Sequence, residues 1–159
     1  MQEHPIPPLY DERSRILILG SFPSVKSREA EFFYAHPQNR FYRVLSSVFK
    51  AAFPETTEQR RAFLLRHRIA LWDVIKSCEI SGSSDASIKH AEANDIRPIL
   101  ERSCIERIYV NGKTAEKLYK KHIEPISCIK AIPLPSTSPA NAAWSLERLV
   151  EAWRVILSD

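Results

Sequence analysis

Short apolar runs rich in isoleucine, valine and leucine recur along the chain and alternate with segments whose apolar residues are three or four positions apart. Runs of this length predict strands buried on both faces, and the wider spacing predicts helices with one apolar face. The predicted strands cover residues 15–19, 69–74, 105–110 and 128–134.

The predicted helices cover residues 41–49, 57–66, 96–102 and 113–122. Asn94 is expected to cap the third of them, because an asparagine side chain can accept hydrogen bonds from the first N–H groups of a helix. A final helix is indicated by an apolar stripe of Leu146, Leu149, Val150, Trp153 and Ile156. This alternation favours an open α/β sandwich, because parallel strands are joined by long crossovers that are normally helical.

Composition predicts a single globular domain, since the chain has 159 residues of which 44% are hydrophobic and 26% charged. Residues 1–13, with their proline-rich centre, are predicted to form an extended N-terminal arm. No apolar run is long enough for a membrane span, and the start lacks the apolar centre of a secretory signal. We therefore expect a cytoplasmic protein that does not associate with membranes.

The three cysteines and five histidines show no spacing typical of a metal site or a disulfide framework. Cys78, Cys104 and Cys128 are expected to be buried reduced thiols. Phosphate-binding motifs of the types GxGxxG and GxxxxGK[ST] are also missing from the sequence. We expect no metal and no cofactor.

A formal net charge of +4 and a pI near 9.0 suit a polyanionic partner, because lysine and arginine gain affinity when they displace condensed counterions. The basic residues are scattered along the chain, so a solvated basic surface explains the charge equally well.

Polar residues lie at or just after the end of every predicted strand, at the sheet edge where open α/β folds bind ligands. These segments are residues 20–24 (GSFPS), Asp73, the Asn111-Gly112 pair and residues 135–141 (PSTSPAN). Two of the three glycines, Gly20 and Gly112, lie there, where a simple tight turn is the alternative to close approach of a ligand. For the serine-rich segment, capping of the last helix is the alternative.

Residues 32–42 (FFYAHPQNRFY) combine five aromatic rings with His36, Asn39 and Arg40. Aromatic faces stack on nucleobases, and amide groups can read base edges. Core packing explains most of the rings, Phe41 in particular, whereas Tyr34 and Asn39 are harder to explain in that way.

Together these motifs resemble the DNA-deoxyinosine (hypoxanthine-DNA) glycosylases, a branch of the uracil-DNA glycosylase superfamily. The resemblance spans most of the chain in order: GSFPS at 20–24, YAHPQNRFY at 34–42, LWD at 71–73, NG at 111–112 and LPSTSPANA at 134–142. The AHPxNRF stretch is shared with mismatch-specific uracil-DNA glycosylases, whereas LPSTSPANA is typical of the hypoxanthine branch. The implied fold is a three-layer α/β/α sandwich with a central four-stranded parallel sheet.

The resemblance implies a monofunctional glycosylase that flips deaminated bases, chiefly hypoxanthine, out of single- or double-stranded DNA and leaves an abasic site. Uracil-excising relatives place Asp or Asn in the first loop to orient water, whereas residues 20–24 offer neither. The family pattern therefore assigns a catalytic role to Asn39, and we expect strong uracil excision to be lost. We expect the protein to act as a monomer.

The expected site residues fall into three groups. Catalytic roles are predicted for Asn39 and Asn111. Base-binding roles are predicted for Gly20, Ser21, Phe22, Pro23, Tyr34 and Asp73. DNA-binding roles are predicted for Ser24, His36, Arg40, Ser136, Thr137, Ser138 and Asn141, although His36 has a loop-shaping role as its alternative.

Within the pocket, Tyr34 is expected to stack on the base, Asp73 or Asn111 to accept from its N1–H group, and loop 20–24 to donate to its carbonyl oxygen. Three alternatives remain open on the sequence: a uracil, xanthine or mismatch glycosylase of the same fold, a non-catalytic nucleic-acid-binding module, and a hydrolase or transferase of small nucleotides, since a fold does not fix a function.

Overall fold

A parallel sheet of four strands lies at the centre of the computed structural model, which describes residues 1–157. In the described residues the strands of this sheet and of a second, smaller sheet are β1 (Gln2–Glu3), β2 (Ile16–Gly20), β3 (Ile69–Asp73), β4 (Ile75–Glu79), β5 (Lys89–Ala93), β6 (Arg107–Asn111) and β7 (Ala131–Leu134). The α-helices are α1 (Val25–Ala30), α2 (Phe41–Val48), α3 (Thr57–Arg66), α4 (Arg97–Glu101), α5 (Lys113–Leu118), α6 (Glu124–Ser127) and α7 (Leu146–Trp153). The order in the parallel sheet is β3-β2-β6-β7.

Strand β2 is buried on both faces, which is why it reads as a continuous apolar run. Ile16 and Ile18 pack into a core with residues of α2, α3 and α7. Leu17 and Leu19 point to the other face and pack with residues of α5. The sheet is therefore the middle layer of an α/β/α sandwich, and the predicted fold class is confirmed.

The strand register aligns the carboxyl ends of the parallel strands. Gly20 pairs with Asp73 across β2 and β3, and Asn111 pairs with Leu134 across β6 and β7. Since Leu19 also pairs with Val110, three of the predicted site residues end neighbouring strands at one edge. This register is what gathers polar groups that are far apart in sequence.

The helices predicted at 41–49, 57–66 and 96–102 are confirmed to within one residue at each end, whereas α1 was not predicted and α7 ends at Trp153, before Ile156. The helix expected at 113–122 ends as α5 at Leu118 and continues through a wider turn into α6. The capping role expected for Asn94 is wrong, because Ile96 occupies the cap position of α4. Asn94 is buried, and its Nδ2 donates to the carbonyl oxygens of Asp73 at 2.9 Å and Ile75 at 3.1 Å. It joins the two sheets instead.

A second, antiparallel sheet in the order β1-β4-β5 was not predicted. Its strands lack a long apolar run, and β5 is exposed or half-exposed throughout. The N-terminal arm supplies β1 and then lies against the domain, where Ile6 and Leu9 are buried. An isolated bridge between Leu9 and Leu71 holds its far end. The arm is thus extended, as expected, but it is packed against the domain.

The three cysteines are free thiols, but they are not all buried. Cys78 belongs to β4 and is buried with Phe22 and Ile75, whereas Cys104 and Cys128 are exposed, which corrects the expectation for both. The two exposed cysteines lie just before β6 and just after α6, at positions that no helix or sheet layer covers. Within residues 1–157, no helix is long and apolar enough to cross a membrane.

Candidate active site

One pocket of about 860 Å³ opens at the carboxyl edge of the parallel sheet. Its walls include every predicted site residue except Arg40. This volume is in the range of small-molecule sites and can take a nucleobase with part of its sugar. The pocket is also lined by residues that the sequence analysis did not select, among them Asp85 and Trp144.

Gly20, Tyr34 and Asp73 meet in one corner of the pocket. A Cβ atom on Gly20 would lie 2.4 Å from Asp73 Oδ1 and 3.0 Å from Tyr34 Oη, so only glycine fits there. The Asp73 side chain is almost fully buried, and its Oδ2 lies 2.7 Å from Nε2 of His4. His4 comes from the N-terminal arm, and no sequence pattern indicated that it belongs to the site.

Tyr34 has one covered ring face and a buried hydroxyl. Its ring stacks on Phe41 with centroids 4.0 Å apart and planes at 17°, which leaves only the opposite face for a base. Phe41 is fully buried, as expected. The Tyr34 Oη makes no well-formed hydrogen bond within residues 1–157. Burial and then the Asp73 carboxylate raise the pKa of Tyr34, which keeps the phenol neutral and able to donate.

Asn39 is half-buried and lies just before α2. The side-chain Oδ1 of Asn39 accepts a hydrogen bond of 2.9 Å from the Phe41 backbone N–H. The backbone N–H of Asn39 donates to the His36 carbonyl oxygen at 3.0 Å. These bonds fix the side chain at the start of α2. Within the described chain the amide NH₂ makes no hydrogen bond, so it is available to water or substrate.

Asn111 and Thr137 form a reciprocal pair. Asn111 Nδ2 donates to Thr137 Oγ1, and Thr137 N–H donates to Asn111 Oδ1, both at 3.1 Å. Thr137 is fully buried, and its carbonyl oxygen accepts from Arg40 N–H. Thr137 therefore anchors the loop, and its contact with DNA stays a prediction. Within residues 1–157 the pairing leaves Asn111 with one free lone pair on Oδ1.

Residues 135–141 form a braced loop over the pocket. The guanidinium of Arg40 donates to the carbonyl oxygens of Trp144 and Asn141, and Asn141 Nδ2 donates to Ser136 O at 2.9 Å. The first role of Arg40 is therefore to hold this loop, and its contact with DNA stays a prediction. Helix capping does not explain the loop, because Ser145 caps α7.

Gly112 allows this loop to approach α5. Its φ is +98°, and a Cβ atom there would lie 3.1 Å from Ser136 Cβ. Ser136 Oγ accepts from Ser138 N–H, and Ser138 Oγ accepts from Ala140 N–H, both at 3.1 Å. Both hydroxyls are half-buried within turns, and their hydrogen atoms remain to be donated to a ligand.

The first loop presents backbone donors to the pocket. Ser21 and Phe22 are buried, and no hydrogen bond within the described chain uses their N–H groups. Buried N–H groups are rarely left without an acceptor, which indicates a ligand position. Ser24 instead caps α1 by accepting from Ser27 N–H at 3.1 Å.

Asp85 is a second carboxylate at this pocket. Its Oδ1 accepts from Ser21 Oγ at 2.8 Å. Although the residue as a whole is exposed, desolvation of its carboxylate at the pocket raises the pKa of Asp85; the Ser21 hydrogen bond opposes the rise, and the Asp73 carboxylate adds to it. A loop of small polar residues, SGSSDAS at 81–87, carries Asp85, and no local pattern distinguishes it from a surface turn. Among residues 1–157, no three potential metal ligands lie together.

Asp85→Asn is expected to raise the melting temperature at neutral pH, with a gain that shrinks on acidification. The raised pKa means that the folded state binds the proton more tightly than the unfolded state. The wild type therefore gains stability as the pH falls through the raised value, whereas asparagine has no charged form to penalise. Thermal unfolding of both proteins at neutral and acidic pH checks this, and a pH-independent difference would contradict it.

Comparison with known proteins agrees with this geometry. The model of the uracil DNA glycosylase superfamily matches residues 7–157. Hypoxanthine DNA glycosylase of Methanosarcina acetivorans is 32% identical over 152 residues, which cover 94% of each chain. Hypoxanthine DNA glycosylase of Methanosarcina barkeri is 35% identical over 115 residues, 71% of this chain and 73% of that protein.

A solved structure supports the same grouping. The solution NMR structure of a candidate uracil DNA glycosylase from Methanosarcina acetivorans superposes with a TM-score of 0.79 at 30% identity, covering 96% of both chains. The family match and the two relatives, together with the pocket at the carboxyl edge of the sheet, identify the class as DNA glycosylase. The chain belongs to the uracil DNA glycosylase superfamily.

Proposed function

We propose that this enzyme excises hypoxanthine from DNA by water-assisted cleavage of the N-glycosidic bond and leaves an abasic site. The observation that carries the proposal is the buried Asp73 carboxylate beside the buried Tyr34 hydroxyl, in a pocket large enough for a base. Similarity to proteins named hypoxanthine DNA glycosylase supports the same substrate.

Access to the glycosidic bond requires that the nucleotide leave the duplex. Extrusion costs a few kcal/mol, and less for a poorly paired base, so deaminated bases enter the pocket more readily. The free face of Tyr34 would stack on the base, a contact worth about 1 to 3 kcal/mol. We also propose, as the sequence predicts, that the enzyme acts as a monomer in the cytoplasm.

Hypoxanthine matches the polar groups in the pocket. Its N1–H would donate to the free oxygen of Asp73, and its carbonyl oxygen would accept from N–H groups of Ser21 and Phe22. Adenine offers an amino group and a bare N1 instead, and each buried polar group left unpaired costs about 1 to 3 kcal/mol. Guanine presents the same edge as hypoxanthine, so its exclusion depends on its stable pairing and its additional amino group.

Bond cleavage develops positive charge on the sugar and negative charge on the departing base. Asn39 has no proton of suitable acidity, and its fixed amide would orient the attacking water or stabilise charge. The donors around the base carbonyl would stabilise the negative charge of the leaving group.

The direct test uses duplexes that carry a single hypoxanthine, uracil, xanthine or adenine. We expect alkali-labile abasic sites mainly at hypoxanthine. Stronger cleavage at uracil or xanthine would reassign the substrate within the same class. No cleavage of any duplex, with DNA still bound, would favour a non-catalytic binding module.

Ser136→Ala is expected to weaken DNA binding more than the chemical step. Ser136 accepts from Ser138 N–H, so its loss loosens a loop whose hydroxyl and N–H groups are suited to phosphates. Fluorescence anisotropy with a hypoxanthine duplex and single-turnover rates at saturating enzyme separate the two effects. Ser103→Ala is the matched control, because Ser103 precedes β6, at the opposite edge of the parallel sheet from this loop, and is not part of the pocket wall. Normal binding with a lost chemical step would contradict the assignment.

A further inference from the structure

His4 is the fourth residue of the chain, yet the exposed fraction of its side chain is only 2%. Aromatic rings enclose it: the centroid of Phe22 lies at 5.9 Å, that of Trp72 at 6.1 Å and that of Phe33 at 6.4 Å. A polar ring in such a position is costly unless its nitrogen atoms are paired. Both of them are.

The two hydrogen bonds of His4 determine where its proton lies. Nδ1 accepts from the Ile6 N–H at 3.2 Å, so Nδ1 cannot carry a hydrogen. The hydrogen must then be on Nε2, which lies 2.7 Å from Asp73 Oδ2. In this tautomer the neutral imidazole donates its Nε2–H to Asp73. The Asp73 carboxylate is therefore the acceptor in this hydrogen bond.

The arm delivers this donor to the site and holds it there. His4 N–H donates to the Lys76 carbonyl oxygen at 2.8 Å, and Trp72 Nε1 donates to the Ile6 carbonyl oxygen at 3.1 Å. The backbone of Asp73 is fixed separately by Asn94. With its main chain and Oδ2 both held, Asp73 has only Oδ1 left, next to Gly20 and Tyr34.

We propose that His4 is a positioning residue that orients Asp73 for base selection. The N-terminal arm then contributes to the base specificity of the enzyme. His4 holds Asp73 as an acceptor and thereby favours bases that carry an N1–H donor. The inference rests on the proposed function. A residue outside the pocket wall then determines which base the pocket prefers.

The experiment compares single-turnover release of hypoxanthine with release of unsubstituted purine, which lacks both the N1–H group and the carbonyl oxygen. His4→Phe is expected to lower the ratio of the two rates about tenfold or more, because a hydrogen bond to a charged group is lost. His4→Gln places an amide donor near the position of Nε2 and is expected to keep the ratio within about twofold of wild type. Glu3→Ala, exposed on the same arm, is the control.

A merely structural role for His4 would slow both substrates equally and leave the ratio unchanged, and that result with His4→Phe would overturn the proposal. Equal loss in His4→Gln would also overturn it. If His4→Phe does not fold, His4→Leu removes the same donor with less bulk. The chemical shifts of the imidazole nitrogen atoms of His4 give a readout that does not depend on activity. We expect the hydrogen on Nε2, and a hydrogen on Nδ1 would overturn the proposed pairing with Asp73. This measurement can be made even if the wild type releases no hypoxanthine. That absence of release would instead refute the proposed function.

Discussion

Asn39→Ala is expected to slow hypoxanthine release about 10²- to 10³-fold while DNA binding is retained. In the structure the Asn39 side chain is held by the Phe41 N–H, and its NH₂ group has no partner within the described chain. A preorganised amide of this kind acts on the transition state more than on the bound substrate, so the loss should appear in the rate. Single-turnover kinetics at saturating enzyme measure it.

The side chain also supports the start of α2, so a structural effect must be separated from a chemical one. Asn39→Ser keeps an oxygen that can accept from the Phe41 N–H but lacks the amide NH₂. We expect this variant to be as slow as Asn39→Ala, with a melting temperature closer to wild type. Full activity in Asn39→Ala, or recovery of the rate by serine, would remove the Asn39 amide from the mechanism.

Asp73→Asn is expected to lower hypoxanthine release by roughly 5- to 150-fold, the equivalent of about 1 to 3 kcal/mol for an unpaired buried group. His4 Nε2–H would bind the amide oxygen of the new side chain. The NH₂ group would then face the N1–H of the base, and two donors would oppose each other. The same NH₂ group could donate to the bare N1 of adenine, so discrimination against adenine should weaken.

Release rates from duplexes with hypoxanthine or adenine, measured for wild type and Asp73→Asn, test both parts. Asp95→Asn is a control for the change in charge, since Asp95 is exposed and paired with Arg97. An unchanged preference for hypoxanthine would exclude Asp73 as the N1–H acceptor. Recognition would then have to depend on Asn111 and the backbone donors of the first loop.

Several features of the site could be predicted because local sequence and strand topology are sufficient for them. Residues at the carboxyl ends of parallel strands share one edge, so Gly20, Asp73 and Asn111 could be placed together without coordinates. Tyr34 and Asn39 could be selected because their chemistry is unusual within an aromatic segment. The motifs also resembled one family in order along the chain, which is stronger than any single match.

His4 and Asp85 could not be predicted, because each reaches the site through a contact over a long sequence separation. His4 lies 69 positions before Asp73, and Ser21 lies 64 positions before Asp85. Strands β1 and β5 carry too little apolar sequence to indicate a sheet, and they form by hydrogen bonding to β4. Asn94 failed as a predicted cap for a related reason: its amide bonds to the end of β3 and the start of β4 instead of to its own helix.

Periodicity and strand-end chemistry, both properties of neighbouring residues, determined the sandwich, its helices and the edge where the pocket lies. Tertiary structure decided which polar atoms remain free there. Within the described residues the Thr137 N–H and the Arg40 guanidinium donate to other groups of the protein, whereas the Asn39 NH₂ group and the Tyr34 hydroxyl do not. The physical reason is that hydrogen-bond satisfaction depends on partners distant in sequence, and the sequence pattern does not identify those partners.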